Sequence, residues 1–223
     1  MKRRAFTPTF EFSQYVDLRD IVLVSWETLA AWIPERVKAC IQELYQTVPH
    51  LAAVCLDSGD TMVDERTEVK DINEVVQQAE LIPGAADMVR SLAANGYRLA
   101  LVADGPRGTF ENILGYYNLW KYFEAFAISG DVGEPKPAAI MFETALNAIQ
   151  IGREDYGRVV MVGNNLERDI KGANALGIIS IWISWSDRRS HTPADESEVP
   201  DYEIKSPSEL IGVLEEIELS LPI

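Results

Sequence analysis

The sequence predicts an α/β fold built on a doubly wound parallel sheet, and two observations carry that prediction. From residue 51 onward, short apolar runs alternate with amphipathic stretches of helical period, the pattern of strands joined by crossover helices. Three of those runs end in polar residues, Asp57, Asp104 and Asn164, at the carboxyl ends of strands, where open α/β sheets keep their ligands.

The runs 51–56, 98–103, 125–129, 159–162 and 178–183 are rich in aliphatic and β-branched residues and are expected as strands, with 202–204 as a short edge strand. Helices are expected over 84–94, 109–118, 138–149, 168–176 and 208–217. The stretch 186–200 is polar, carries two prolines and is expected to be a loop. Upstream, Leu18, Ile21, Val22, Leu29, Trp32, Ile33, Val37, Ile41 and Leu44 follow helical spacing. Pro34 is expected to split that segment in two, because an interior proline removes a hydrogen bond and clashes with the preceding turn. The expected organisation is therefore an N-terminal helical extension, 1–50, and a core domain, 51–223.

Composition narrows the function classes. The chain has 223 residues, 47% hydrophobic and 25% charged, with a net charge of −15. Residues 1–50 hold six basic and six acidic side chains, which leaves 14 basic against 29 acidic in the remainder. A body this acidic repels phosphate backbones, so nucleic acid is not expected as a general partner. No stretch reaches the ~18 apolar residues of a membrane span. The basic opening, Lys2 to Arg4, is followed by Glu11, Asp17, Arg19 and Asp20 rather than by an apolar signal region. Cys40 and Cys55 fit free thiols of a reducing compartment, and a cytoplasmic location is expected. His50 and His191 lie far apart in loop-like settings and do not suggest a histidine relay or a zinc site.

Asp57 closes the first apolar run and is followed by Ser58, Gly59, Asp60 and Thr61. A carboxylate presented there can attack phosphorus if a divalent cation neutralises both attacker and substrate, and such a cation takes oxygen ligands. Asp57, the Gly59 carbonyl and Asp169 are the natural donors. Lys136, set between Pro135 and Pro137, can pair with Asp57 and with a transferred phosphoryl group. Backbone N–H groups around Asp104 and Gly105, ahead of Pro106, can hold phosphate oxygens.

These stretches, in this order, resemble the motifs of the haloacid dehalogenase superfamily, above all its phosphatases, over residues 51 to about 215. The family's Asp-x-Asp-Gly-Thr loop corresponds to 57–61, its lysine to Lys136, and its Gly-Asp-x-x-x-x-Asp motif to 163–169. The resemblance implies a Mg²⁺-dependent phosphatase that forms an aspartyl-phosphate on Asp57. It implies Asp57, Gly59, Asn164 and Asp169 around the metal, and Ala103, Asp104 and Gly105 around the phosphate.

Three positions depart from the family pattern. Gly59 stands where the family's phosphatases place the aspartate that protonates the leaving group, a loss of about 10²–10⁴ in rate if nothing replaces it. Asp60, next door, substitutes only if the turn differs. Ala103 replaces a hydroxyl residue that bonds phosphate, so backbone donors must suffice or Thr109 must reach in. Asn164 replaces a metal-binding aspartate, which removes one negative charge. The alternative reading is therefore a non-catalytic binding or assembly protein on the same scaffold. Dehalogenation is disfavoured, because its sites resemble Asp-x-Tyr or Asp-x-Phe loops under a full cap.

Only about twenty residues separate Thr61 from the next expected helix. That resembles the capless members of the superfamily, which act on macromolecular substrates or borrow a neighbouring subunit as lid. The expected substrate is a phosphorylated small molecule or macromolecule. Residues 1–50 are expected to serve as a substitute lid, as a homo-oligomer contact, or simply as packing on the sheet. Trp182 and Trp185 are expected as core or rim packing, and Arg188 and Arg189 as a solvated basic pair or an anion contact at the functional edge.

Overall fold

A computed structural model of the protein describes residues 50–221. The helices expected before residue 50, their role as lid or contact, and Cys40 lie outside the described residues. Six strands form one parallel sheet in the order β5-β4-β1-β6-β7-β8: β1 (Ala53–Leu56), β4 (Leu99–Ala103), β5 (Phe123–Ile128), β6 (Val159–Gly163), β7 (Ile179–Ile183) and β8 (Tyr202–Ile204). β1 is central, with Val54 paired to Leu99 on one side and to Val160 on the other. The chain winds outward through β4 and β5, then crosses back over β1 to β6. That reversal is the switch point at which such sheets open a crevice beyond the strand ends.

Alternation along the strands divides the core in two. Val54, Leu56, Leu99, Leu101, Val160 and Val162 face one side, and Ala53, Cys55, Ala100, Val102, Val159 and Met161 face the other. Both faces are covered, which is why these strands read as continuous apolar runs rather than alternating ones. The first face takes helix α1 (Ala85–Ala94) through Met88, Val89 and Leu92, and α2 (Arg107–Tyr116) through Phe110, Ile113 and Leu114. It also takes α6 (Leu210–Ser220) through Leu210, Leu214 and Ile217. The second takes α4 (Ala139–Ala148) through Met141, Phe142, Ala145 and Leu146, and α5 (Lys171–Leu176) through Ala173. In α1, α2, α4 and α6 the buried positions recur at three- and four-residue steps, the stripe that a helix turns toward a sheet. A short helix, α3 (Ser129–Val132), follows β5.

The strands and helices expected from the sequence stand within a few residues of those observed. Beyond them stand the short α3, which was not expected, and a larger unexpected feature. Between β1 and α1 the chain forms an antiparallel hairpin of β2 (Val63–Lys70) and β3 (Val76–Leu81). Its turn is held by Asp71, whose Oδ1 accepts from the N–H groups of Asn73 (2.8 Å) and Val75 (3.0 Å). The hairpin is tied to α2: Val76 N–H donates to Thr109 Oγ1 (3.0 Å), Asn112 Nδ2 to the Val76 carbonyl (3.0 Å), and the Tyr117 hydroxyl to the Ala79 carbonyl (3.0 Å). Between β1 and β4, then, the insert is this hairpin and not a cap domain. Among the described residues no helix is long and apolar enough to cross a membrane.

Candidate active site

Asp57 leaves β1 still attached to the sheet, its N–H donating to the Val162 carbonyl of β6 (2.9 Å). Its carboxylate is thereby fixed beyond the strand end, 8% exposed. Thr61 closes the following turn, its hydroxyl donating to Asp57 Oδ2 (3.3 Å). The loop between α3 and α4 delivers Lys136, which is 3% exposed, with Nζ 2.6 Å from Asp57 Oδ1 and 2.8 Å from the Val102 carbonyl. The same ammonium lies 2.6 Å from Asp169 Oδ1 as an ion pair, although that oxygen has no well-aligned hydrogen-bond donor. One buried cation thus bridges two carboxylates from opposite ends of the sequence.

Asp169 sits in a π-helical turn, Leu166–Ile170, just after β6. Asn165 shapes the turn: its side-chain oxygen accepts from Glu167 N–H (3.0 Å), and its own N–H donates to Asp169 Oδ2 (2.9 Å). Gly163 is a glycine for steric reasons, since a Cβ there would fall 2.3 Å from Asp169 Cγ and Oδ2. Asn164 is nearly buried, and its carbonyl accepts from Trp182 Nε1 (2.9 Å), whereas its side-chain amide bonds to no described residue. Trp182 packs with Leu166 and Ile170, as expected of a core residue.

Charge explains the tightness of this cluster. Burial pulls Lys136 toward the neutral amine, but the Asp169, Asp57 and Asp104 carboxylates outweigh it and hold its pKa above the ordinary lysine value. Burial pushes Asp169 up, against the opposing pull of Lys136. With a single ammonium facing two acids, the site has room for further positive charge. Among the described residues no group of three His, Cys, Asp or Glu side chains could hold a metal by itself.

The other expected residues are spread around this centre. Ala103 ends β4, fully buried. Asp104 accepts from the Lys136 N–H at Oδ1 (3.0 Å) and from Arg168 Nη1 at Oδ2 (3.2 Å), so its side chain sets the Lys136 loop. The Gly105 N–H donates to Ser129 Oγ (2.9 Å). Thr109 does not reach in, because its hydroxyl is engaged by the hairpin. Asp60, next to Gly59, is already engaged by other residues. It adopts φ 49° at the turn, is fully buried, and receives Glu65 N–H at Oδ1 (3.2 Å) and Arg188 Nη1 at Oδ2 (3.4 Å). Arg188 is an ion-pair partner rather than a solvated cation, 2.7 Å from Glu65 Oε2. Glu65, on the hairpin, was not singled out from the sequence. Its pKa is raised first by burial and then by the Asp60 charge, against the pull of Arg188.

A six-stranded parallel sheet with a strand-end aspartate, a buried lysine and a second aspartate defines the class of protein. The sequence pattern of the haloacid dehalogenase-like hydrolases matches residues 11–177, most of the chain, and the protein belongs to that family. The match starts inside the segment set apart above as an N-terminal extension. Among similar proteins, a glyceraldehyde 3-phosphate phosphatase of Methanopyrus kandleri is 28% identical over 60% of this chain and 57% of its own length. The pyrimidine 5'-nucleotidase YjjG of Escherichia coli is 29% identical over 64% of this chain and 60% of its own. The putative HAD-hydrolase YfnB of Bacillus subtilis, solved bound to magnesium, superposes with a TM-score of 0.53 at 28% identity, covering 60% of this chain and 56% of that one. The chain thus spans little more than half the length of these relatives.

Proposed function

We propose that the protein is a Mg²⁺-dependent phosphatase in which Asp57 attacks the phosphorus of a phosphate ester. The observation that carries this reading is the Lys136 ammonium held between Asp57 and Asp169 at the carboxyl end of the central strand. The ammonium pairs with Asp57 and fixes the oxygen that it touches. Asp57 Oδ2, bonded among the described residues only by Thr61 at 3.3 Å, is left as the attacking atom.

The donors fit a hard divalent cation. They are all oxygen: the Asp57 carboxylate, the Gly59 carbonyl, the Asn164 amide with no described partner, and the Asp169 carboxylate, whose Oδ1 is buried against the Lys136 ammonium. Bound Mg²⁺ would offset the charge of the incoming phosphate and polarise it. An amide in place of a carboxylate at Asn164 weakens that affinity without removing the site. Phosphate oxygens would be met by Lys136 and by backbone donors around Ala103 and Asp104, whereas the Gly105 N–H, expected among them, is engaged by Ser129 Oγ. Attack forms an aspartyl-phosphate and expels the alcohol, and water then cleaves the acyl-phosphate and regenerates Asp57.

The substrate class follows from the relatives whose names specify phosphorylated small molecules. With a hairpin rather than a cap domain between β1 and β4, a macromolecular phosphate ester is a substrate class of this reading as well. The buried thiol of Cys55 supports a reducing, cytoplasmic setting.

The test is hydrolysis of p-nitrophenyl phosphate by the full chain with Mg²⁺. Turnover should be abolished by Asp57→Asn and by chelation. Turnover that survives either treatment would reject the mechanism. No turnover over a broad phosphate panel would favour the non-catalytic reading.

A further inference from the structure

Expelling an alkoxide from a phosphate ester needs a proton, and the groups nearest Asp57 do not offer one. Lys136 is buried and divided between two carboxylates. Asp169 and Asp60 are fully buried. Asp104 is engaged by the Lys136 N–H and by Arg168. Gly59 has no side chain, yet its backbone does not require glycine: the positive φ of this turn falls on Asp60 instead, at 49°. What excludes a side chain at Gly59 is Glu65, whose Oε1 lies 2.0 Å from where a Cβ would stand, with Cδ at 2.7 Å. The space that a side chain on Gly59 would enter is therefore filled by a carboxyl group from β2, which lies near enough to Asp57 for the two charges to interact.

We propose that Glu65 is the general acid and base of this site, supplying from the hairpin the carboxyl that position 59 lacks. The inference rests on the phosphatase reading above. Glu65 is held for the task from two sides. Its N–H donates to Asp60 Oδ1 (3.2 Å), and its Oε2 pairs with Arg188 Nη1 (2.7 Å), which leaves Oε1 turned toward Gly59. Its side chain stays 24% exposed, so it can meet a substrate. In the first step Asp57 Oδ2 bonds to phosphorus, the phosphorus–oxygen ester bond breaks, and its electron pair goes to the leaving oxygen, which takes the Glu65 proton. In the second, the Glu65 carboxylate takes a proton from water as the water oxygen bonds to phosphorus. The Asp57–phosphorus bond breaks with its electrons returning to Asp57, and inorganic phosphate leaves. The two steps restore both residues.

Leaving groups of different basicity test this. Wild type, Glu65→Gln, Glu65→Ala and Arg188→Gln are compared on p-nitrophenyl phosphate and on phenyl phosphate, whose leaving group is the more basic, with Asp57→Asn as the blank and thermal melts to confirm folding. Both Glu65 variants should lose on the order of 10²-fold in kcat/KM on phenyl phosphate and much less on p-nitrophenyl phosphate. Arg188→Gln removes one of the two contacts that hold Glu65 but keeps its carboxyl, so the ratio between the two substrates should move in the same direction as in the Glu65 variants and by much less. Equal losses on both substrates, no loss, or a ratio shifted as far by Arg188→Gln would each overturn the Glu65 assignment while the phosphatase reading stands. Absence of Asp57-dependent turnover in the wild type would overturn both.

Discussion

Replacing Lys136 by methionine keeps most of its volume and removes its charge. In the native protein that ammonium touches Asp57 at 2.6 Å, Asp169 at 2.6 Å and the Val102 carbonyl at 2.8 Å, with 3% of the residue exposed. Its loss leaves two carboxylates facing each other in a buried site. Breaking a buried ion pair from one side costs about 3–5 kcal/mol. For a domain of this size each kcal/mol lowers Tm by about 2–4 °C, so a fall of roughly 6–20 °C is expected in chelator. The variant should also become pH-sensitive, and the sign follows from burial. Asp169 is already pushed up by burial, and without Lys136 only the Asn165 N–H is left to oppose that push. A carboxyl with a raised native pKa binds its proton more tightly folded than unfolded, so stability falls as pH rises above the ordinary carboxylate range and recovers as pH falls back. The assay is a set of thermal melts of wild type, Lys136→Met, Asp169→Asn and the double variant between pH 5 and pH 8. The double variant should be less destabilised than the two single losses added together. A Lys136→Met penalty below about 1 kcal/mol, or strict additivity, would refute the bridged arrangement.

Two further outcomes follow from close packing and burial. Gly163→Ala puts a Cβ 2.3 Å from Asp169 Cγ, so it should cost about 1–3 kcal/mol in thermal melts and lower kcat/KM well beyond tenfold, by displacing the second acid; unchanged kinetics would contradict the contact. Cys55 is fully buried and its thiol is pushed up to about 12, chiefly by that burial, so in a Cys40→Ser background iodoacetamide at pH 8 should label the protein in urea but not in its native state. Labelling of the native protein would show β1 to be more open than described.

Much of this architecture was legible because both faces of the sheet are covered, so each strand advertises itself as an apolar run, and Asp57, Asp104 and Asn164 fall at the ends of such runs. The Asp57, Lys136 and Asp169 cluster was legible through order and residue type. The hairpin was not. β2 reads Val-Asp-Glu-Arg-Thr-Glu-Val-Lys, with charged residues at most positions, so it carries no apolar run, and the hairpin docks through hydrogen bonds to α2 together with a few isolated apolar residues, Val63 and Val76 above all. Glu65 was hidden for the same reason. The one hint was that glycine and aspartate occupy 59 and 60 in the reverse of the family's order, which moves the turn's positive φ onto Asp60 and frees the space at Gly59 for a side chain from elsewhere. The Arg188 pairing spans more than a hundred residues and leaves no trace in local pattern.

The central claim is that Asp57 is the atom donor to phosphorus, and trapping the intermediate tests it most directly. The full chain is mixed with Mg²⁺ and p-nitrophenyl phosphate, quenched in acid during turnover, digested and mapped by mass spectrometry. A phosphoryl group should appear on the carboxylate of Asp57, and no such adduct should form in Asp57→Asn. Turnover with the phosphoryl group on another residue would contradict the account.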